Sequence, residues 1–172
     1  MGRGAEAARE MQTLDTKPFT EFYESQYRPV VEFAFALTGD RWAAEDLAQE
    51  AFIAAERDWQ RLATYDQPAA WVRRVLANKS VSRFRRLGAE SRALLRLGHK
   101  PPAPPQLSAE SVEVWEAVRS LPKRQAQAIA LTYLEDLSLQ EVGEILECSP
   151  FTVKTHLQRG RAALAKRFGG SS

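Results

Sequence analysis

Four side chains near the end of the chain have the types and spacing needed to read DNA. At about 100° per residue, Phe151, Thr155, Gln158 and Arg159 fall on one outward face of a helix. An aromatic ring, a hydroxyl, an amide and a guanidinium can contact a thymine methyl, base edges and phosphates in a major groove. The pattern predicts a helix that binds nucleic acid through this face.

The charge of the same segment supports that prediction. Between residues 154 and 167 there is no acidic residue. The basic side chains are Lys154, Arg159, Arg161, Lys166 and Arg167. Such a one-sided charge favours contact with phosphates.

A second helix is predicted just upstream, where it would hold the reading helix in place. Ser138 and Glu141 have the S-x-x-E spacing of a capping box, which marks a helix start. Val142, Ile145 and Leu146 then give this helix one apolar face.

A short break separates the two helices. It consists of Glu147, Cys148 and Ser149, and Ser149 followed by Pro150 is a favourable start for the next helix. In that helix Val153, Leu157 and Leu164 share the inward face. The spacing indicates a helix-turn-helix, and the alternative interpretation is an ordinary solvated helix hairpin.

Helical periodicity also runs through the first half of the chain, and no strand signal interrupts it. A first helix is predicted from Phe19 to Leu37, with a bend near Pro29, and Asp40 can cap a second helix. The predicted core residues of the second helix are Ala44, Leu47, Ala51, Ala55, Trp59 and Leu62. Its opposite face is acidic and polar.

A third helix is predicted to begin at Pro68 and to complete a three-helix core. Its predicted core residues are Trp71, Val72, Val75 and Leu76. Its other side carries a mostly polar, basic stripe made of Arg74, Asn78, Val81 and Arg85. Two basic stretches therefore lie far apart in the chain.

The helical pattern fails between them, where the sequence HKPPAPPQ contains four prolines and favours an extended linker. We therefore expect an all-α protein with two small helical domains joined by a Pro-rich linker. The predicted divisions are an N-terminal tail at 1–17, a domain at 18–87, the linker at 88–108, a second domain at 109–168 and a tail at 169–172.

Composition excludes several classes of protein. One cysteine rules out an internal disulfide, and two histidines are too few for a usual zinc site, so no metal or cofactor is expected. No nucleophile elbow or glycine-rich phosphate loop suggests an enzyme. The chain lacks an export signal and a long apolar run, which predicts a cytoplasmic protein without membrane insertion. The four tryptophans, Trp42, Trp59, Trp71 and Trp115, are expected in the core.

Three segments of the chain together resemble the extracytoplasmic-function (ECF) sigma factors, promoter-specificity subunits of bacterial RNA polymerase. The segments are LTGDRWAAEDLAQEAF, WVRRVLANKSVSRFRR and LPKRQAQAIALTYLEDLSLQEVGEILECSPFTVKTHLQRGRAAL. The resemblance covers about residues 19–168. It implies that the second helix binds the clamp of core polymerase through an acidic face. The residues in that role are Glu45, Asp46, Gln49 and Glu50.

The resemblance also implies two DNA sites. The third helix would recognise and open the minus-10 promoter element with Arg74, Asn78, Arg83, Arg85 and Arg86. The helix-turn-helix would read the minus-35 element in the major groove. Its residues are Ser149, Phe151, Thr152, Lys154, Thr155, Gln158, Arg159 and Arg161. For Phe151, a core or linker contact is an equal alternative to a thymine methyl, and Glu147 replaces a turn glycine common in the family.

The expected partners are therefore core RNA polymerase, promoter DNA and, from the resemblance alone, an inhibitory anti-sigma factor. One alternative is a transcription regulator that binds DNA without polymerase, because TVKTHL also resembles the reading helix of response-regulator output domains. Another is a helical adaptor that binds only proteins, which would leave the two basic stretches unexplained.

Overall fold

The computed structural model describes the backbone of residues 3–81, 97–98 and 109–169, and side chains within 19–81, 97–98 and 111–169. In these ranges every regular element is an α-helix, which confirms the predicted class. No helix among the described residues is long and apolar enough to cross a membrane. Arg83, Arg85, Arg86 and all of the predicted linker except Leu97 and Gly98 lie outside the described residues.

Four helices form what we call the N-terminal bundle. They are α1 (Arg3–Thr38), α2 (Arg41–Arg57), α3 (Trp59–Leu62) and α4, which is described over residues 68–81. α1 begins within the segment predicted as a tail, and it continues through Pro29 without interruption. The Asp40 side chain accepts a hydrogen bond from Ala43 N at 2.8 Å, so it caps α2 as predicted.

Seven of the ten predicted core residues of this bundle are buried, and Trp59, Trp71 and Val75 are partly buried against them. Leu47 of α2 and Leu76 of α4 are fully buried, together with Phe33 of α1. Aromatic rings fasten α1 to α2 and α3, with the Tyr23 and Phe52 ring centroids 4.9 Å apart. This packing fixes which face of α2 points outward.

The C-terminal bundle consists of α5 (Ala109–Arg119), α6 (Lys123–Leu134), α7 (Leu139–Leu146) and α8 (Pro150–Gly169). The last two are the predicted helix-turn-helix, with the predicted start at Pro150. α6 and α8 pack closely at Gly160, where an added Cβ would lie 2.6 Å from Ile129 Cδ1.

The two bundles pack against each other, and their buried apolar residues join in one cluster. Arg119 of α5 lies over the turn between α1 and α2. That turn needs glycine, because Gly39 has a φ of 68° and an added Cβ would lie 2.7 Å from Arg119 Nε.

Polar side chains of α4 also cross between the bundles. The Arg73 guanidinium pairs with the Glu135 carboxylate, and both side chains are almost fully buried. Burial raises the pKa of Glu135, and the positive charge of Arg73 opposes that rise. The sequence analysis assigned no partner to Arg73, so this pairing is a finding of the structure.

Candidate nucleic-acid and protein interfaces

The helix-turn-helix begins with the predicted capping box. Glu141 N donates to Ser138 Oγ at 3.2 Å, and Ser138 N donates to Glu141 Oε2 at 2.8 Å. These hydrogen bonds, first the one from the backbone of Ser138, lower the pKa of Glu141. A charged carboxylate at this position also suits the positive end of the α7 dipole.

The turn after α7 is tight. Cys148 N donates to Gly143 O at 3.0 Å, and an added Cβ at Gly143 would lie 2.6 Å from Cys148 O. Glu147 ends α7 in the left-handed region, with φ 57° and ψ 44°. The chain therefore reverses within a few residues and sets the angle between α7 and α8.

We expect Glu147→Gly to stabilise the protein by about 0.5–1 kcal/mol. A residue with a Cβ pays about 1–2 kcal/mol in the left-handed region, and part of the gain is offset by the greater unfolded-state freedom of glycine. The ion pair of Glu147 with Arg74, at 3.7 Å, involves partly exposed groups and contributes little. Thermal unfolding followed by circular dichroism should show a Tm higher by about 2–3 °C.

The matched control for this prediction is Glu144→Gly, within helix α7. It should lower stability by about 1 kcal/mol, because glycine is a poor helix former. A Tm for Glu147→Gly at or below that of the unchanged protein would contradict the argument.

The reading helix α8 has the expected cap and outward face. Thr152 N donates to Ser149 Oγ at 3.1 Å. Phe151 is 78% exposed, so it does not pack in the core of the described residues. Gln158 and Arg159 are exposed on the same side of α8, and Thr155 is half-buried with its hydroxyl donating to Phe151 O. Four side chains of the predicted minus-35 set thus form one surface.

Positive charge is concentrated beside this surface. Burial lowers the pKa of His156, and the charges of Arg124 and Arg159 lower it further. These effects favour the neutral form of His156, while the arginines and the exposed Lys154 supply the charge that phosphates would meet.

Arg161 lies apart from that surface. Its Nε donates to Tyr133 Oη at 2.6 Å, and its guanidinium carbon lies 5.4 Å from the Tyr133 ring centroid. The side chain is thereby directed along α6, although it remains exposed. Among the predicted minus-35 residues, Arg161 is the one whose side chain hydrogen-bonds to another helix within the described part of the chain.

The basic stripe of α4 is divided by the packing of the two bundles. Arg74 Nη2 donates to Glu144 O at 2.6 Å, so this predicted minus-10 residue is hydrogen-bonded to α7 of the helix-turn-helix. Asn78 is exposed, and Val81 is 40% exposed beyond it. Within the described part of α4, the two predicted minus-10 residues therefore have different surroundings.

The acidic face of α2 points away from the core. Asp46 and Gln49 are exposed, whereas Glu45 and Glu50 are half-buried. Glu45 pairs with Arg41 at 3.1 Å, and Glu50 pairs with Lys79 of α4 at 3.5 Å.

Two apolar side chains extend that face, and sequence reasoning missed both. Trp42 is 68% exposed and Ile53 is 49% exposed, so the prediction that Trp42 lies in the core is wrong. At about 100° per residue, positions 42, 46, 49 and 53 fall within one narrow arc opposite the buried residues of α2. We call Trp42, Asp46, Gln49 and Ile53 the α2 stripe. The signal was present in the spacing, because Trp42 stands four residues before Asp46 and seven before Gln49.

Comparisons with protein families bear on these surfaces. Residues 22–90 match the family described as Sigma-70 region 2, and residues 111–164 match the family described as Sigma-70, region 4. The first match contains α2 and α4, and the second contains α7 and the reading helix.

Individual relatives agree with those matches. The chain is 27% identical to the ECF RNA polymerase sigma factor SigW of Bacillus subtilis over 89% of this chain and 90% of SigW. It is 32% identical to the ECF sigma factor SigE of Mycolicibacterium smegmatis, over 78% of this chain and 55% of SigE. The fold is similar to the sigma factor RpoE of Bartonella quintana, solved with the anti-sigma factor NepR. That similarity has a TM-score of 0.71 and 21% identity, and covers 91% of this chain and 99% of RpoE.

Proposed function

Because the chain belongs to the ECF sigma factors of bacterial RNA polymerase, we propose that three of its surfaces each bind one of the partners of a sigma factor: core polymerase and the two promoter elements. As a family member, the protein directs promoter recognition and transcription initiation, and it is not itself an enzyme. In our proposal the α2 stripe binds core polymerase, α4 contacts the minus-10 element, and α8 reads the minus-35 element.

The assignment of polymerase binding to the α2 stripe rests on the composition of the stripe. A protein-binding site is typically an apolar or aromatic anchor with polar groups around it, and here the exposed Trp42 and Ile53 flank Asp46 and Gln49. The carboxylate would steer the stripe towards a basic surface of the polymerase. The half-buried Glu45 and Glu50 would add negative charge at its edge.

The assignment of α4 rests on its charge and on the match to Sigma-70 region 2. Holding an opened strand requires cations along its backbone and a polar group near an extruded base. Asn78 is exposed for the second role, and Arg74 supplies a cation when it is released from Glu144. Arg83, Arg85 and Arg86, outside the described residues, complete the proposed set.

The assignment of α8 rests on its exposed outward face and on the match to Sigma-70, region 4. A helix that enters the major groove usually contacts base edges with residues near its N-terminus. Phe151 and Thr155 lie in the first two turns of α8, and Gln158 and Arg159 continue the same face to the middle of the helix. Ser149, Thr152 and Lys154 at the start of the helix would contact the DNA backbone. Arg161, held by Tyr133, would contact phosphate rather than a base.

Two further proposals concern where the protein acts and what regulates it. We place it in the cytoplasm, where its polymerase and promoters are. An anti-sigma factor is the third proposed partner, since the similar sigma factor RpoE was solved with the anti-sigma factor NepR.

A binding and transcription assay tests the proposed function. Purified bacterial core polymerase is mixed with this protein, first in a pull-down and then on a pool of promoters from one genome. We expect a stable complex and new transcription start sites. Salt-sensitive DNA binding without any complex would instead support a DNA-binding regulator, and binding to neither would support an adaptor.

We expect Arg159→Ala to lower minus-35-dependent transcription by about tenfold, because one bidentate base contact contributes about 1–3 kcal/mol of discrimination. The readout is the transcription rate on promoters with intact and scrambled minus-35 elements. The loss should be confined to the intact element. Arg28→Ala removes the same charge from an exposed position on α1 and serves as the control. Equal rates for Arg159→Ala and the unchanged protein would remove Arg159 from the reading set.

A further inference from the structure

The outward face of α8 carries a large apolar side chain in its first turn. Phe151 is 78% exposed, the highest exposed fraction of the large apolar side chains among the described residues. A phenylalanine ring has no conventional hydrogen-bond donor or acceptor, so a partner that selects for it must offer an apolar group. A single exposed apolar side chain is common on protein surfaces, so its neighbours decide whether it is a contact.

Thr155 extends this apolar surface by one turn. Positions 151 and 155 are four apart in α8, so their side chains are neighbours on one face. The Thr155 hydroxyl donates to Phe151 O at 3.1 Å, which uses its proton within the helix. Thr155 therefore offers a partner its methyl group and no free O–H donor. We call Phe151 and Thr155 the α8 apolar pair.

Cations flank the α8 apolar pair on both sides. At about 100° per residue, Lys154 lies about 60° from Phe151 around the helix in one direction, and Arg159 lies about 80° from it in the other. Both basic side chains are exposed. The major groove is about 12 Å wide and has a phosphate backbone along each border. A helix with this arrangement presents its apolar centre to the floor of the groove and positive charge towards both strands.

One of the four bases carries a methyl group in the major groove. That base is thymine, whose C5-methyl lies beside a hydrogen-bond acceptor, whereas the readable groups of the other three are donors and acceptors alone. Phenylalanine rings and threonine methyl groups are among the side-chain groups that contact this methyl. Gln158, one turn further along the same face, has an amide that suits adenine instead.

We propose that the α8 apolar pair recognises a thymine of the minus-35 element through its C5-methyl group, so that the methyl decides the preference for this base. The proposal rests on the proposed function, because it takes α8 as the reader of that element. Promoters of this protein should then carry thymine at one fixed upstream position. Gln158 reads a different base pair.

The first experiment locates the thymine. Core polymerase carrying this protein, or its Phe151→Ala variant, selects promoter fragments from a pool with a randomised upstream element, and the selected fragments are sequenced. We expect the unchanged protein to enrich thymine at one position, and Phe151→Ala to lose the enrichment at that position alone. Because Phe151 is exposed and alanine is a good helix former, the variant keeps its fold.

The second experiment isolates the methyl group. Deoxyuridine pairs with adenine as thymidine does but lacks the C5-methyl, and it replaces the thymidine at the selected position. We expect the Kd of the polymerase complex for the duplex fragment to rise about fourfold, which is about 0.8 kcal/mol for one buried methyl group. With cytosine at that position, 5-methylcytosine should bind about fourfold more tightly than cytosine.

Three variants show whether the ring is responsible. Phe151→Ala should bind the thymine and uracil fragments equally. Phe151→Leu keeps an apolar side chain and should retain a discrimination of at least about twofold. Gln158→Ala removes a neighbouring contact on the same face and is the matched control. It should weaken binding to both fragments while the ratio of their Kd values stays at about four.

Four results would each overturn the proposal. Phe151→Ala could keep the thymine enrichment, or the unchanged protein could bind thymine and uracil fragments equally. A fourfold ratio that persists in Phe151→Ala would show that the methyl acts through DNA shape and not through the ring. A loss of affinity for core polymerase in Phe151→Ala, without DNA, would place Phe151 at a protein contact. Failure of the proposed function would appear separately, as no complex with core polymerase or no enriched upstream sequence.

Discussion

Replacing Asp46 and Gln49 together by alanine is expected to weaken binding to core polymerase by at least about tenfold, a loss of about 1.4 kcal/mol. Both side chains stand at the centre of the α2 stripe, directly opposite the buried face of α2. Removing the carboxylate and the amide eliminates a charged contact and its neighbour, while the fold keeps its core. The measurement is a Kd from labelled protein titrated with core polymerase.

The matched control for this double variant is Glu24→Ala with Gln60→Ala. It removes the same charge and the same amide from exposed positions outside α2. Its Kd should equal that of the unchanged protein. If the Asp46 and Gln49 variant also keeps its Kd, the α2 stripe is not the polymerase-binding surface.

Gly143→Val is expected to produce the largest loss of stability, about 3 kcal/mol in the free energy of unfolding and about 10 °C in Tm. An added Cβ would already lie 2.6 Å from Cys148 O, which is backbone and cannot rotate away as a side chain can. Valine adds two further methyl groups at that point. Either the turn opens or α7 shifts, and both changes would move α8 from its place.

Thermal and urea unfolding of Gly143→Val can be compared with Gly169→Ala, because a Cβ at Gly169 has no heavy atom within 4 Å. That control should leave stability nearly unchanged. We also expect Gly143→Val to lose minus-35-dependent transcription at temperatures where the unchanged protein remains folded. A normal Tm for the valine variant would show that the turn is looser than its geometry implies.

Local sequence patterns were sufficient for the helix-turn-helix. Ser138 and Glu141 act within one turn of each other, so the capping box is a property of a few adjacent residues. The start at Pro150 and the burial of Val153 and Leu157 likewise follow from local propensity and a 3.6-residue period.

The α2 stripe was only half predicted, for an identifiable reason. Asp46 and Gln49 were assigned from polarity and family resemblance, while Trp42 was assigned to the core because tryptophans usually are buried. The spacing of Trp42 from Asp46 and Gln49 places all three on one helix face, which indicates that Trp42 is exposed. Helical geometry is the better guide when it conflicts with residue type.

The packing of the bundles could not be predicted, because it depends on residues far apart in the chain. Arg73 and Glu135 are 62 positions apart, and each taken alone resembles an ordinary surface charge. Val72, next to Arg73, is buried in the core of the N-terminal bundle. The position of Arg73 on α4 does not indicate that a second side of this helix is buried against the other bundle. Only the placement of the two bundles brings the pair together.

The hydrogen bond between Arg74 and α7 affects how the free chain is distributed over genomic DNA. A genome presents about 10⁶–10⁹ competing non-specific sites, and any free DNA-binding chain is distributed over them. While Glu144 O holds Arg74, that cation makes no phosphate contact, and the non-specific affinity of the free chain for DNA is lower by that contact. Fewer free chains would then be distributed over random DNA, and more would remain available to core polymerase.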